Sequence, residues 1–184
     1  MPTHARDRLI QAAQELFFAE GIRAVGVERL LTVSGVGRAS FYRHFASKDD
    51  LVIEVLQGRD RTWRQWLAEA VRARGNDPLA VFDALAEEGA GGDFRGCAFI
   101  NAVAEIADTD SPVRRIAAEH KRAVTEFIAG LLADAGHRDS PALAEEFVLL
   151  MDGSTVTATR ERSTEPIRRA QRIARGLLAR DLPA

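Results

Sequence analysis

The sequence contains little cysteine, since Cys97 is its single thiol. One cysteine builds no disulfide framework of the kind that stabilises small secreted domains. It also leaves no Cys-x-x-Cys pair, so no redox motif or zinc site of that spacing is predicted. We therefore expect a protein of a reducing compartment, and we predict no metal ligands.

Long apolar runs are also missing. No stretch approaches the roughly 18 consecutive apolar residues of a membrane-spanning helix. Residues 1–17 mix charged and apolar side chains and lack the apolar segment of a secretory signal. Hydrophobic residues make up 46% of the chain and charged residues 28%, which is typical of folded globular proteins. We expect a cytoplasmic protein with no membrane partner.

An overall excess of positive charge, which would indicate a nucleic-acid binder, is not present. The net charge is −2 and the isoelectric point is about 6.1. Residues 1–48 contain seven Lys or Arg against four Asp or Glu, a local balance of +3. Charge therefore permits DNA binding without demonstrating it.

Signatures of common enzymes are missing as well. The sequence has no Gly-x-Ser-x-Gly, no phosphate-binding loop, no His-Glu-x-x-His and no Gly-x-Gly-x-x-Gly. A catalytic set could be assembled by residue type from Asp152, His120 and Cys97. Their wide separation in the sequence gives no reason to expect that the three side chains lie close together. We predict no catalytic residues and no cofactor. The alternative functions are an all-helical small-molecule-binding protein or enzyme without DNA binding, and a helical scaffold that binds only protein.

The chain does contain apolar residues at helical spacing along nearly its whole length, with no convincing strand. Gly21 ends the first helix, residues 47–50 form a Ser-Lys-Asp-Asp capping box, and Pro78, Pro112 and Pro141 stand at first helical positions. The predicted fold class is all-α. The nine predicted helices cover about 3–20, 27–33, 38–45, 47–74, 78–88, 97–108, 112–135, 141–161 and 165–180.

The second and third predicted helices, 27–33 and 38–45, are short and joined by a tight turn at Gly35. Two helices joined in this way form a helix-turn-helix, whose second helix enters the DNA major groove. We therefore predict a three-helix DNA-binding domain over residues 1–46. Residues 47–184 are predicted to form a helical bundle.

The polar side of the third helix carries the predicted DNA contacts. Arginine forks onto guanine O6 and N7, small side chains touch thymine methyl groups or base edges, and Tyr and Lys more often reach phosphates. We assign Arg38 and Arg43 to base edges, and Tyr42 and Lys48 to phosphates. The full predicted set is Val27 (at a helix start with free backbone amides), Arg38, Ala39, Ser40, Tyr42, Arg43, His44 and Lys48. The predicted anchoring side, opposite to it, consists of Val36, Phe41 and Phe45. For any single residue, a position on an ordinary solvated face is the simpler interpretation. The residues taken together, with the Gly35 turn and the capped helix that follows, favour DNA binding.

Residues 8–51 resemble the DNA-binding domain of the TetR family of bacterial transcriptional regulators. The matching segments are 9–13, 16–17, Gly21, 34–36, 40–45 and 47–51. The resemblance implies the nine-helix TetR architecture and a homodimer on a near-palindromic double-stranded DNA operator. It further implies a regulator, usually a repressor, that releases the operator when a small-molecule effector of unknown identity enters the larger domain. Residues 47–184 are by this resemblance the ligand-binding and dimerisation domain.

Three positions depart from the family's pattern. Gly26 stands where Ser or Thr usually caps the second helix, so that cap should be weaker. Leu31 replaces a usual Ala, and Gly37 replaces a usual Ser. We therefore assign no hydroxyl contact with phosphate to Gly37.

The eighth and ninth helices are the predicted dimer interface. Residues 153–158 are small and permit close helix approach, and residues 167–178 contain an apolar stripe flanked by arginines. An ordinary amphipathic helix covering its own core is the alternative, and the family resemblance favours the dimer.

Polar and aromatic residues on the helices of the larger domain are candidate effector contacts, because ligand pockets are mostly apolar with few polar groups. The predicted set is Cys97, Phe99, Asn101, Glu105, His120, Phe127, Met151, Asp152 and Thr155. Each of them is alternatively an ordinary core or surface residue. Residues 95–105 resemble the helix that links the pocket to the DNA-binding domain in TetR-like regulators. Arg95 near Cys97 favours a reactive thiol, although a small buried hydrophobe is the more ordinary role.

Overall fold

The computed structural model describes residues 3–92 and 94–181, and every regular element in that part of the chain is an α-helix. The helices are α1 (Thr3–Glu20), α2 (Val27–Ser34), α3 (Arg38–His44), α4 (Lys48–Arg72), α5 (Ala80–Gly89), α6 (Ala98–Glu105), α7 (Pro112–Asp134), α8 (Ser140–Glu161) and α9 (Glu165–Asp181). The predicted all-α class is confirmed. Within the described ranges, no helix combines the length and the apolar character that crossing a membrane requires.

Residues 3–61 and 98–117 form one compact unit. Both α2 and α3 pack on α1, because the helices present apolar residues at helical spacing. Leu9, Leu30 and Phe41 are completely buried there. This unit contains the predicted helix-turn-helix.

Residues 62–97 and 118–181 form a second compact unit with its own core. Phe82 of α5 and Phe147 of α8 pack ring against ring in that core, with centroids 5.5 Å apart. The hairpin of α8 and α9 packs on α5, and Arg162, in the left-handed conformation at φ 50°, ends α8. The chain passes between the two units within α4, before α6 and within α7. The predicted functional boundary at residues 46 and 47 stays a prediction, since packing does not show which residues bind DNA.

The predicted start of the fifth helix at Pro78 is wrong. Asp77 forms a turn there instead: its carboxylate accepts a hydrogen bond from the Leu79 amide at 2.9 Å, and its carbonyl accepts one from the Ala80 amide at 2.9 Å. The helix therefore begins at Ala80. Pro112 does begin α7, as predicted, and Pro141 is the second residue of α8, which begins one residue earlier than predicted.

Two predicted helix ends are also too long. The helix α4 ends at Arg72, because Gly75 and Asn76 adopt positive φ angles of 75° and 59° and turn the chain. The helix α6 ends at Glu105 rather than about residue 108. There the Arg114 guanidinium donates hydrogen bonds to the carbonyls of Ile106 and Asp108, at 3.0 and 3.1 Å. Because the Arg114 side chain occupies these two carbonyls, α6 does not continue through them.

Candidate nucleic-acid interface and effector residues

The turn between α2 and α3 depends on Gly35, which adopts the left-handed conformation at φ 62° and ψ 27°. Glycine occupies this conformation without the steric cost that a Cβ would bring. The buried Ser34 hydroxyl supports the turn by accepting a hydrogen bond from the Val36 amide at 3.3 Å. The angle between the two helices is therefore fixed by local backbone chemistry.

The apolar side of α3 is buried as predicted. Phe41 is completely buried, and Val36 and Phe45 are 5% and 4% exposed. The Phe41 and Phe45 rings lie 6.0 Å apart, so two aromatic anchors hold a helix of only seven residues. A helix this short has little stability of its own, and packing determines its position.

The opposite side of α3 faces outward. Arg38, Ala39 and Arg43 are exposed, and Tyr42 is 49% exposed. Ser40 and His44 are half-buried, and so are the flanking residues Val27 and Lys48. The predicted contact residues on α3 thus lie on its outward side, and the buried apolar side fixes the position of the helix backbone. Their contact with DNA stays a prediction.

Arg38 already has an acidic partner. Its guanidinium forms an ion pair with the Glu28 carboxylate of α2, and the two side chains are 60% and 73% exposed. An exposed ion pair contributes only about 0.2–1 kcal/mol, so a base or phosphate can displace the carboxylate at small cost. No sequence pattern indicates this pair, because the residues lie on different helices.

Lys48 has a structural partner as well. Its ammonium donates hydrogen bonds to the carbonyls of Ile22 and Val25, at 2.7 and 2.9 Å. An ammonium has three donors, so the predicted phosphate contact requires the third. Sequence reasoning missed this role, since these carbonyls lie in a loop more than twenty residues earlier.

The predicted capping box after α3 is confirmed. The Ser47 amide and hydroxyl both donate to the Asp50 carboxylate at 2.9 Å, and the Ser47 hydroxyl accepts from the Asp50 amide at 3.1 Å. The cap fixes the start of α4, with three residues between it and the end of α3. By contrast, Gly26 gives the start of α2 no side-chain cap, as its lack of a hydroxyl predicted.

The predicted effector contacts are divided between the two units. Cys97, His120, Phe127, Met151, Asp152 and Thr155 belong to the unit of residues 62–97 and 118–181. Phe99, Asn101 and Glu105 belong to the other unit, where Phe99 is buried and Asn101 is exposed. Membership of one effector pocket stays a prediction for all nine.

His120 is the most deeply buried polar residue of the predicted set, at 3% exposure. The edge of its ring contacts Trp63, with centroids 5.3 Å apart, and Trp66 lies 5.9 Å from Trp63. The Trp63 indole donates a hydrogen bond to the Glu88 carboxylate at 3.1 Å. The sequence analysis did not include Trp63 beside His120, because helical spacing marks it only as an apolar position.

Asp152 and Glu105 both have partners within their own units. Asp152 pairs with the Lys121 ammonium, and about a third of each side chain is exposed. The Glu105 carboxylate accepts a hydrogen bond from the Arg23 amide at 2.7 Å. The carboxylate predicted to bind effector therefore contacts the loop between α1 and α2.

Exposed apolar side chains lie on both helices of the α8–α9 hairpin. Leu149, Val156 and Ile173 are 73%, 51% and 50% exposed. Gly153 and Gly176 lie on the same two helices, and nothing lies within 4 Å of where a Cβ would project from either. These exposed residues lie on the two helices predicted to form the dimer interface.

Comparison with known proteins agrees with these features. Residues 9–55 match the family of bacterial regulatory proteins, tetR family, and residues 79–173 match the C-terminal domain of LmrA/YxaF-like transcriptional regulators. A crystal structure of a TetR-family transcriptional regulator from Streptomyces coelicolor is 32% identical, with a TM-score of 0.86, and the match covers 97% of this chain and 96% of that one.

Two curated relatives cover most of their own length. The transcriptional repressor NemR of Escherichia coli is 23% identical over 95% of this chain and 94% of its own. The transcriptional regulator AcuR of Cereibacter sphaeroides is 27% identical over 89% of this chain and 80% of its own. With the helix-turn-helix and the nine helices of the described residues, these matches show that the chain belongs to the TetR family of bacterial transcriptional regulators.

Proposed function

We propose that the protein is a dimeric, effector-controlled repressor that reads its operator with the outward side of α3. The observation that carries the proposal is the two-sided character of that helix. Its apolar side is buried, with the helix packed on α1, and its other side presents two arginines and a tyrosine to solvent. A reading helix needs this combination, because side chains specify bases only when the backbone is held in register.

Each residue has a proposed role. Arg38 and Arg43 contact guanine edges, and Ala39 and Ser40 contact thymine methyl groups or base edges. Tyr42 and Lys48 contact phosphates, together with the backbone amides at Val27 and, at the helix end, His44. No catalytic step is part of the proposal.

Dimerisation is proposed through α8 and α9. One seven-residue helix reads too few base pairs to specify a genomic site, and two-fold pairing doubles its contacts. Exposed apolar surface is supplied by Leu149, Val156 and Ile173, and the two open glycines permit close approach of a second hairpin. The effector is proposed to bind the unit that contains His120, Met151 and Thr155. It releases DNA only to the extent that it prefers the conformation of the free protein.

The test starts from a duplex selected out of a random pool by the whole protein. Arg38→Ala should weaken binding by about 10- to 100-fold. Tyr42→Ala should weaken it about tenfold and should also lower the slope of log affinity against log salt concentration by about one, the contribution of one phosphate contact. Arg122→Ala is the matched control, because Arg122 is exposed on α7 and pairs with Glu126 one turn away. Wild-type affinity in both α3 variants would refute the assignment of the reading surface.

A further inference from the structure

The helix α8 has a packing pattern on each of two opposite sides. Its inner side is buried in the core of its unit. On its outer side, exposed residues recur at alternating spacings of four and three, the heptad spacing by which one helix packs along another. This outer stripe consists of Ala142, Glu146, Leu149, Gly153, Val156 and Arg160. It stays open to solvent in the subunit.

The charges on the outer stripe are opposite at its two ends. Glu146 lies seven residues before Gly153, and Arg160 lies seven residues after it. Among the residues that the structure describes, the Glu146 carboxylate has no ion-pair or hydrogen-bond partner, and Arg160 pairs only with its neighbour Glu161, at 3.1 Å. An exposed pair of that kind is weak. Both charges can therefore pair with a second chain at small cost.

These charges favour one direction for a second copy of α8. In a parallel pair each residue faces its own counterpart, so carboxylate would oppose carboxylate at one end and guanidinium would oppose guanidinium at the other. In an antiparallel pair that crosses at Gly153, Glu146 of each subunit faces Arg160 of the other. Leu149 and Val156, four residues before and three residues after Gly153, then face each other across the interface.

Gly153 suits the crossing point of two helices. Nothing lies within 4 Å of where a Cβ would project from it. Packed helix axes lie about 8–10 Å apart and Cα atoms lie about 2.3 Å from their own axis, so two facing residues at the crossing have Cα atoms roughly 3.5–5.5 Å apart. Glycine permits the closest of these approaches because it has no Cβ.

The outer side of α9 is unsuited to lie on the two-fold axis. It carries five exposed arginines that have no acidic partner among the described residues, namely Arg168, Arg169, Arg172, Arg175 and Arg180. A crossing of α9 on its own copy would bring these charges against each other, and like charges facing across an interface oppose association. A symmetric dimer is therefore favoured with α8 on the axis and α9 beside it.

We propose that two copies of the chain pair antiparallel through α8, with the two-fold axis at Gly153 and an ion pair between Glu146 and Arg160 at each end. The proposal rests on the proposed dimerisation through the α8–α9 hairpin. It adds the residue on the axis, the direction of the paired helices and the charges that select the partner. A chain that carries like charges at both positions would be a poor partner.

Disulfide crosslinking of the whole protein locates the axis, in a Cys97→Ser background that removes the native thiol. Gly153→Cys should link most subunits in pairs under mild oxidation, since a disulfide needs Cα atoms about 4.4–6.8 Å apart. Gly176→Cys is the matched control, because Gly176 is an equally open glycine of α9, and it should stay unlinked. Glu146→Cys and Arg160→Cys should each form no disulfide alone, because the two copies lie about 20 Å apart along the helices. They should crosslink after the two proteins are mixed and exchange subunits.

Charge reversal tests the ion pairs. Glu146→Arg and Arg160→Glu should each raise the dimer dissociation constant about tenfold, since each change replaces two attractive pairs of the dimer by two repulsive ones. The variant with both changes should return to within about threefold of the wild type, because the pairs are restored with their signs exchanged. Sedimentation velocity over a dilution series measures all four constants.

The outcomes separate the pairing geometry from dimerisation itself. A dimer that Gly176→Cys links and Gly153→Cys does not overturns the axis on α8. Crosslinking of Glu146→Cys alone indicates a parallel pair and overturns the antiparallel direction, and reversal of either charge without effect overturns the ion pairs. A wild type that sediments as a monomer at every concentration overturns the proposed dimerisation.

Discussion

Replacing Leu149 should dissociate the dimer without unfolding the subunit. Leu149 is 73% exposed on α8, so the isolated chain gains little stability from its side chain. Complete burial of a leucine is worth about 1.5–3 kcal/mol, so burying the remaining surface contributes about 1.5 kcal/mol in each subunit. A two-fold interface contains the residue twice, which gives about 3 kcal/mol per dimer.

Leu149→Ala should therefore raise the dimer dissociation constant about 100-fold, since each 1.4 kcal/mol corresponds to about a factor of ten. Leu149→Asp should leave only monomer at micromolar concentration, because it places an unpaired carboxylate in the interface. Sedimentation velocity over a dilution series measures both constants. Unfolding of the separated monomer should change by no more than about 0.5 kcal/mol.

Val33→Ala is the control for this experiment. Val33 is 44% exposed on α2, so the change also removes exposed apolar surface but lies on another helix. Its dimer constant should equal that of the wild type. A Leu149→Asp protein that stays dimeric at the wild-type dissociation constant would refute the α8–α9 interface.

Two further predictions concern the helix-turn-helix. Phe41→Ala should lower the free energy of unfolding by about 3–5 kcal/mol, because the Phe41 side chain on α3 is completely buried. Urea titration measures this change, and a loss below about 1 kcal/mol would contradict the role of Phe41 as anchor. Glu28→Gln should tighten binding of the selected duplex by about two- to fivefold, since it frees Arg38 from an exposed ion pair and removes a negative charge beside DNA. Fluorescence anisotropy measures the change, and weaker binding by Glu28→Gln would show that the pair positions Arg38 for reading.

Local chemistry explains which parts of the fold could be predicted from the sequence. Gly21 ends α1 and Ser47 caps α4 through backbone and near-neighbour contacts, so both positions could be read from residue type. Pro78 shows the limit, because the preceding Asp77 forms a turn that competes with helix initiation. Apolar periodicity predicted the helices correctly. Where a helix begins or ends depends on whether a local turn, such as the one at Asp77, competes with the helix.

Only the features of the site that depend on residues close together in the sequence could be predicted. The outward side of α3 follows from helical spacing, because Phe41 and Phe45 mark the side that must be buried. The partners of Arg38, Lys48 and Glu105 lie 10, 23 to 26 and 82 residues away. No periodicity connects such positions. They meet only because the fold brings α2, α6 and the loop after α1 together.

Methylation protection of guanine N7 in the selected duplex tests most directly whether two copies of α3 read the major groove. We predict two protected patches whose centres are about 10–10.5 base pairs apart or a multiple of that spacing. Arg38→Ala and Arg43→Ala should each remove protected guanines from both patches at protein concentrations that saturate the duplex. A single patch, or a pattern that neither variant changes, would contradict the account.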